Sequence, residues 1–218
     1  MNTIDGYERL YQQLSRAGLA DIVSLSQRYN PTAIRQFYAT LHVAPDRSSI
    51  TWMMGYHRLS VTKARIEQIL GFPPGDGLDK VHLEPPLPLD ERRTFYRPQG
   101  DHPTQIQIGK VDGLLTLPGV INRLIRKTIV PRVGNPDVIR PPVWNILRHI
   151  FSGIRIDIVH CILEEMARSA AEVNKSIYFA PYNMKIILAE EDYLGALPIS
   201  LKVYTPRETQ RIYHVEDV

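Results

Sequence analysis

A mainly α-helical fold with a single β-hairpin, an α+β chain built as one helical domain, is predicted by three features of the sequence. Apolar residues recur at helical spacing through most of its length. One stretch, residues 50–61, alternates apolar and polar side chains instead. Proline, glycine, threonine and asparagine stand at the boundaries between these patterns. With 218 residues, 44% of them apolar, the chain can bury a sizeable core, which excludes disorder over its whole length.

The first helix is predicted over Asp5 to Arg16, where Tyr7, Leu10, Tyr11 and Leu14 follow the i, i+3, i+4, i+7 pattern and Gly18 stands past the end. Leu19 to Gln27 reads as a short helix or turn. Asn30 is a cap and Pro31 a first helical residue, because proline lacks an N–H that would be unsatisfied there anyway. Ile34, Phe37, Tyr38 and Leu41 line that helix. After a turn at Asp46 to Ser49, Ile50 to Val61 reads as a hairpin turning at Gly55 and Tyr56, with Trp52 at a core position. At Thr62 the period changes to 3.6. Thr62 caps, Val61 and Ile66 are placed as a hydrophobic staple, Ile66, Ile69 and Leu70 face inward, and Gly71 with Pro73-Pro74 stops the helix.

Residues 31–74 therefore form a helix, hairpin, helix unit on which the later helices are expected to lie. A proline-rich excursion follows at about 74–103, with one helical turn at Leu89 to Tyr96; it reads as a mobile loop or as a hinge between two lobes. Leu117 to Ile129 is predicted helical with Ile121, Leu124 and Ile125 inward and Arg123, Arg126 and Lys127 outward. Val133 to Asp137 is a turn and Pro142 to Phe151 a helix. Asp157 caps a helix over Ile158 to Val173 that turns Glu164, Glu165 and Arg168 outward, and Pro181 opens the last helix to about Leu194. The domain is expected to span residues 1–198, and residues 199–218 to form a tail with one strand at Ile199 to Tyr204.

The net charge is +3 and the pI near 9.0, but the charge is uneven. Between Gly119 and Arg155 seven basic residues face the single acid Asp137, a window of +6 that leaves −3 for the remainder. Arg123, Arg126, Lys127, Arg132, Arg140 and Arg148 are thus the candidate nucleic-acid-binding residues, able to follow a phosphate backbone in a salt-sensitive, sequence-poor way. The same residues also read as a solvated face paired with acids such as Glu164, Glu165 and Glu190.

The residue patterns of enzymes are not found. His160 and Glu164 share a helix face beside Cys161, but no third ligand stands at metal-binding spacing, and Cys161 suits a small core position. GDG at 75–77 lacks the glycine spacing and lysine of a phosphate loop and reads as a turn. No nucleophile elbow is present. Glu190, Glu191 and Asp192 are consecutive and point apart, so they read as a solvated face. Trp52, Tyr56, Phe95 and Tyr96 are candidates for base stacking, with core burial the competing reading. No cofactor, metal or catalytic residue is expected. One cysteine excludes an internal disulfide framework and indicates a reducing compartment, nucleus or cytoplasm. Neither a secretory signal nor a membrane span is expected.

FYATL, the segment RLSVTKARIEQILGFPP, and the later IVPRVGNPD, VWNILRHIFSGIRIDIVHCI and FAPYNMKII resemble the plant transposon protein domain, found in open reading frames of plant retrotransposon origin, and more loosely the plant mobile domain. The resemblance covers roughly Ala20 to Leu197. It implies a plant source and descent from a mobile element, and carries over no catalytic residues. It implies a non-enzymatic piece acting by protein association, as a gag-like or scaffold part, with a second copy or another protein as partner; DNA or RNA on the basic face is the alternative.

Overall fold

The computed structural model describes residues 3–20, 27–75, 77–81, 87–97, 107–130, 135–171 and 179–191. Among them are eight helices and a three-stranded antiparallel sheet, the mainly helical fold with a hairpin that the sequence predicts. The chain divides into two compact units, Met1–Val23 with Gly77–Ile156, and Ser24–Asp76 with Asp157–Val218. Neither unit is a continuous stretch of sequence. The expected tail, the strand at Ile199 to Tyr204, most of the turn at Leu19 to Gln27 and the last residues of the two C-terminal helices lie outside the described residues.

The second unit holds α2 (Pro31–Thr40), β1 (His42–Val43), β2 (Ser49–Met54), β3 (His57–Thr62), α3 (Lys63–Leu70), α7 (Ile158–Ala171) and α8 (Ala180–Glu191). Its local signals act as their chemistry requires. The Asn30 side chain accepts from the N–H groups of Thr32 and Ala33 with Pro31 at the first helical position. β2 and β3 pair from Ser49↔Thr62 to Met54↔His57, leaving Gly55-Tyr56 as a two-residue turn; Gly55 takes a φ of 58°, which a side chain would strain. Ile50, Trp52 and Met54 are buried on one face of β2, Leu59 and Val61 on β3, while His57 is exposed. The Trp52 and Phe37 rings meet at 5.3 Å, so Trp52 is core. Thr62 caps Arg65, and Gly71 ends α3 in the left-handed conformation at φ 78°.

Of the later helices, α7 and α8 complete this unit, and α8 is buried on most sides through Tyr182, Met184, Ile186 and Ile187. One outward placement is corrected. Glu165 is only 2% exposed, because α7 is covered on more of its circumference than a single apolar stripe implies; its carboxylate is 3.8 Å from the Arg168 guanidinium.

The first unit holds α1 (Thr3–Arg16), α4 (Leu89–Arg93), α5 (Thr116–Thr128) and α6 (Pro141–Ser152). α5 packs on α6 and α1 contacts both. Leu14 is buried, whereas Tyr7 and Tyr11 of the same helix are 69% and 54% exposed. α6 ends at Gly153, φ 69°. The helical turn expected at Leu89 to Tyr96 is α4, continued by tight turns in which the Tyr96 hydroxyl accepts from Gly109 N–H at 2.9 Å and donates to the Lys110 carbonyl at 2.6 Å. Phe95 and Tyr96 are thereby buried against Trp144, each with rings 6.0 Å apart.

Candidate functional site

The six basic candidates belong to one unit but do different things. Arg123 and Lys127 stand one turn apart and exposed on α5, whose sequence contains no acid. Arg126 is half-buried: its guanidinium donates to the carbonyls of Pro136 and Asn135, closing the turn, in which Asp137 N–H bonds the Asn135 side chain at 2.8 Å. Burial, then the charge of Arg140, lowers the Arg126 pKa, with Asp137 opposing. Arg126 and Arg140 are therefore near one another, and Arg148 is placed elsewhere, on α6 with its guanidinium 3.8 Å from Glu91. Arg132 lies outside the described residues. Of the acids weighed as their partners, Glu164 binds Arg47 at 2.7 Å and Glu190 binds Arg65 at 3.2 Å, both in the second unit.

Other sequence candidates resolve into structural parts. Glu164 is held below the ordinary glutamate value of 4.5 chiefly by the Arg47 hydrogen bond, and His160 contributes only as a neighbouring charge. Cys161 is fully buried. Among the described residues no three His, Cys, Asp or Glu side chains gather as metal ligands. Tyr56 is fully exposed at the hairpin tip. No described helix is long and apolar enough to cross a membrane.

A charged cluster in the second unit escaped sequence reasoning. The Lys63 ammonium lies 3.0 Å from Glu67 and 2.6 Å from Asp157, whose side chains are 8% and 1% exposed. Glu67 also accepts from Gly75 N–H at 2.9 Å, and Asp157 caps α7 through His160 N–H at 2.9 Å. A β-carbon on Gly75 would stand 2.7 Å from the Asp157 carboxylate oxygen and closer still to the Lys63 ammonium, so a side chain there would have to displace this pair. Burial alone lowers the Lys63 pKa, but hydrogen bonds and charges from Asp157 and Glu67 outweigh it and the net shift is upward. A lysine held this way is a fully charged structural clasp, poorly suited to act as a base or nucleophile. The i, i+4 spacing of Lys63 and Glu67 is legible in the sequence; the distant Asp157 is not.

The feature best suited to recognition is a groove of about 530 Å³ in the first unit, walled by Leu87, Phe95, Leu115, Leu117, Pro118 and Phe151. Glu91, Thr94, Arg148 and Ser152 supply its polar groups. It lies where α4 meets the start of α5 and the end of α6. Seven of the eight large apolar side chains exposed among the described residues belong to this same unit: Tyr7, Tyr11, Leu89, Leu115, Val120, Val138 and Ile154. The one sequence signal that could have located it is Leu115-x-Leu117-Pro118, apolar residues gathered at the first turn of α5. Comparison with protein-family models, with curated proteins and with solved structures finds no match.

Proposed function

We propose that this protein is a non-enzymatic association domain, of the transposon-derived kind its sequence resembles, acting in the nucleus or cytoplasm and seating an apolar segment of a protein partner in the α4–α5–α6 groove. The observation that carries this reading is the groove itself: six apolar walls around a volume in the range of binding clefts, on the unit that also exposes most of the large apolar side chains. Sedimentation of the purified chain across a concentration series, alongside Leu115→Glu, is the test. Leu115 is 39% exposed, so the change leaves the core intact. Association that Leu115→Glu abolishes and Arg123→Glu does not is the expected result. A chain that stays monomeric at high concentration and recovers no partner dependent on Leu115 overturns the proposal.

A second reading, nucleic-acid binding, draws on Arg123 and Lys127, exposed one turn apart on a helix without acids. Each phosphate neutralised on duplex DNA contributes about −0.9 to the slope of log affinity against log salt. Arg123→Glu with Lys127→Glu should abolish such binding, and unchanged binding would remove this reading.

A further inference from the structure

The small sheet of the second unit has one edge closed and the other open. On the closed side the Met53 N–H donates to the Thr40 hydroxyl at 2.9 Å, Thr51 pairs with His42 of β1, and the Ser49 carbonyl accepts from Ala44 N–H at 2.9 Å. These three residues of β2 therefore turn their backbone groups away from β3. Backbone groups alternate in direction along an antiparallel strand, and directly opposed residues match. The residues opposite them in β3, Arg58, Ser60 and Thr62, accordingly turn theirs out of the hairpin on its other side. Thr62 is engaged as the cap of α3. Arg58 and Ser60 are exposed, and among the described residues no hydrogen bond from outside the hairpin meets the N–H or carbonyl of either.

An open edge of this kind is a template for one more strand, whose main chain supplies the bonds whatever side chains it carries. The side chains beside the edge select which strand. Leu59 and Val61 are buried on the inner face of β3, and Arg58 and Ser60 stand on the outer one. No acid among the described residues pairs with the Arg58 guanidinium. A second copy of β3 suits this edge poorly, because its sequence HRLSVT brings another arginine and no acid.

We propose that β3 accepts an extended segment of a partner protein that places an aspartate or glutamate opposite Arg58. The added strand bonds the N–H and carbonyl groups of Arg58 and Ser60. Its acid then falls on the outer face of the sheet, in the directly opposed position where unlike charges attract and like charges repel. Arg58 so placed selects an acidic strand and opposes pairing between two copies of the chain. The surface is separate from the groove, which belongs to the other unit.

The test is a nuclear magnetic resonance titration of the full chain with a blocked hexapeptide of alternating valine and threonine carrying a central glutamate, against the same peptide with central lysine. The Arg58 and Ser60 amide signals should move and exchange more slowly with solvent, while Met53 on the closed edge and Leu115 in the groove stay still. The glutamate peptide should bind about fivefold tighter than the lysine peptide. Ser60→Pro removes an outward N–H and leaves the bonds to β2, so it should abolish binding. An unchanged signal from the buried Trp52 indole checks that this variant is folded. Arg58→Glu, an exposed change, should reverse the preference between the peptides and carries the test by itself. Arg58 and Ser60 signals that stay still with both peptides, equal affinity for the two, or binding that survives Ser60→Pro would overturn the proposal. So would shifts at Arg58 and Ser60 that grow with protein concentration alone, which would assign the edge to a second copy.

Discussion

At the scale of single residues, Lys63 joins α3 to the start of α7 in the second unit. Two buried carboxylates converge on its ammonium, and removing it leaves Asp157 and Glu67 as uncompensated charges. Lys63→Met should cost about 3–5 kcal/mol in urea unfolding. Because the folded Lys63 pKa is raised above 10.5, the clasp contributes fully below that pH and is lost as pH rises through the folded value. Glu164 gives the opposite limb. Its folded pKa lies below 4.5, so the pair with Arg47 adds stability above that pH and loses it as pH falls through the folded value. Arg47→Met should lower stability at neutral pH and converge with the parent in acid, measured by unfolding across a pH series. This scale was the least legible in the sequence. Periodicity assigns faces to helices, but it does not reveal that Glu165 finds shelter on a covered side of α7, or that Asp157 both caps a helix and meets a lysine far along the chain.

Helix ends, by contrast, were written locally. Asn30, Thr62, Gly71 and Asp157 each stand where the sequence placed a boundary, since a cap is settled by a few adjacent backbone groups and one side chain. Thr62→Ala should lose about 1 kcal/mol, the ordinary value for an N-cap. Gly71→Ala should cost a similar amount, about 1–2 kcal/mol, all of it from the left-handed backbone, because a β-carbon there meets no atom within 4 Å. Thermal denaturation of both variants checks these values, and a much larger loss at Gly71 would mean that its surroundings are tighter than described. β1 escaped notice because two residues carry no period; only its pairing of His42 with Thr51 and Val43 with Ile50 reveals it. The face of α1 misled in a different way: the spacing of Tyr7 and Tyr11 is helical, but spacing does not say which stripe finds a cover.

For the molecule as a whole the helical class and the hairpin were legible, and the division into two interleaved units was not. Local patterns name elements; which distant elements meet is decided by contacts such as those of α3 with α7 and α8. The groove was hidden for the same reason, since its walls come from the proline-rich excursion itself, from the start of α5 and from the end of α6, three segments far apart in the chain. Its role is an association proposal, and Leu115→Glu is its decisive variant.

The interleaving of the two units bears on how the chain is made. The ribosome releases the hairpin and α3 long before it reaches α7 and α8, which supply Ile162, Met166, Met184 and Ile187 to the same core. Throughout that interval Ile66 and Leu70 of α3 lack the cover of α7 and α8, the condition in which nascent chains recruit chaperones or stick to one another. A polypeptide stopped after Ile156 should therefore accumulate in the insoluble fraction on expression, while full-length chain stays in the supernatant.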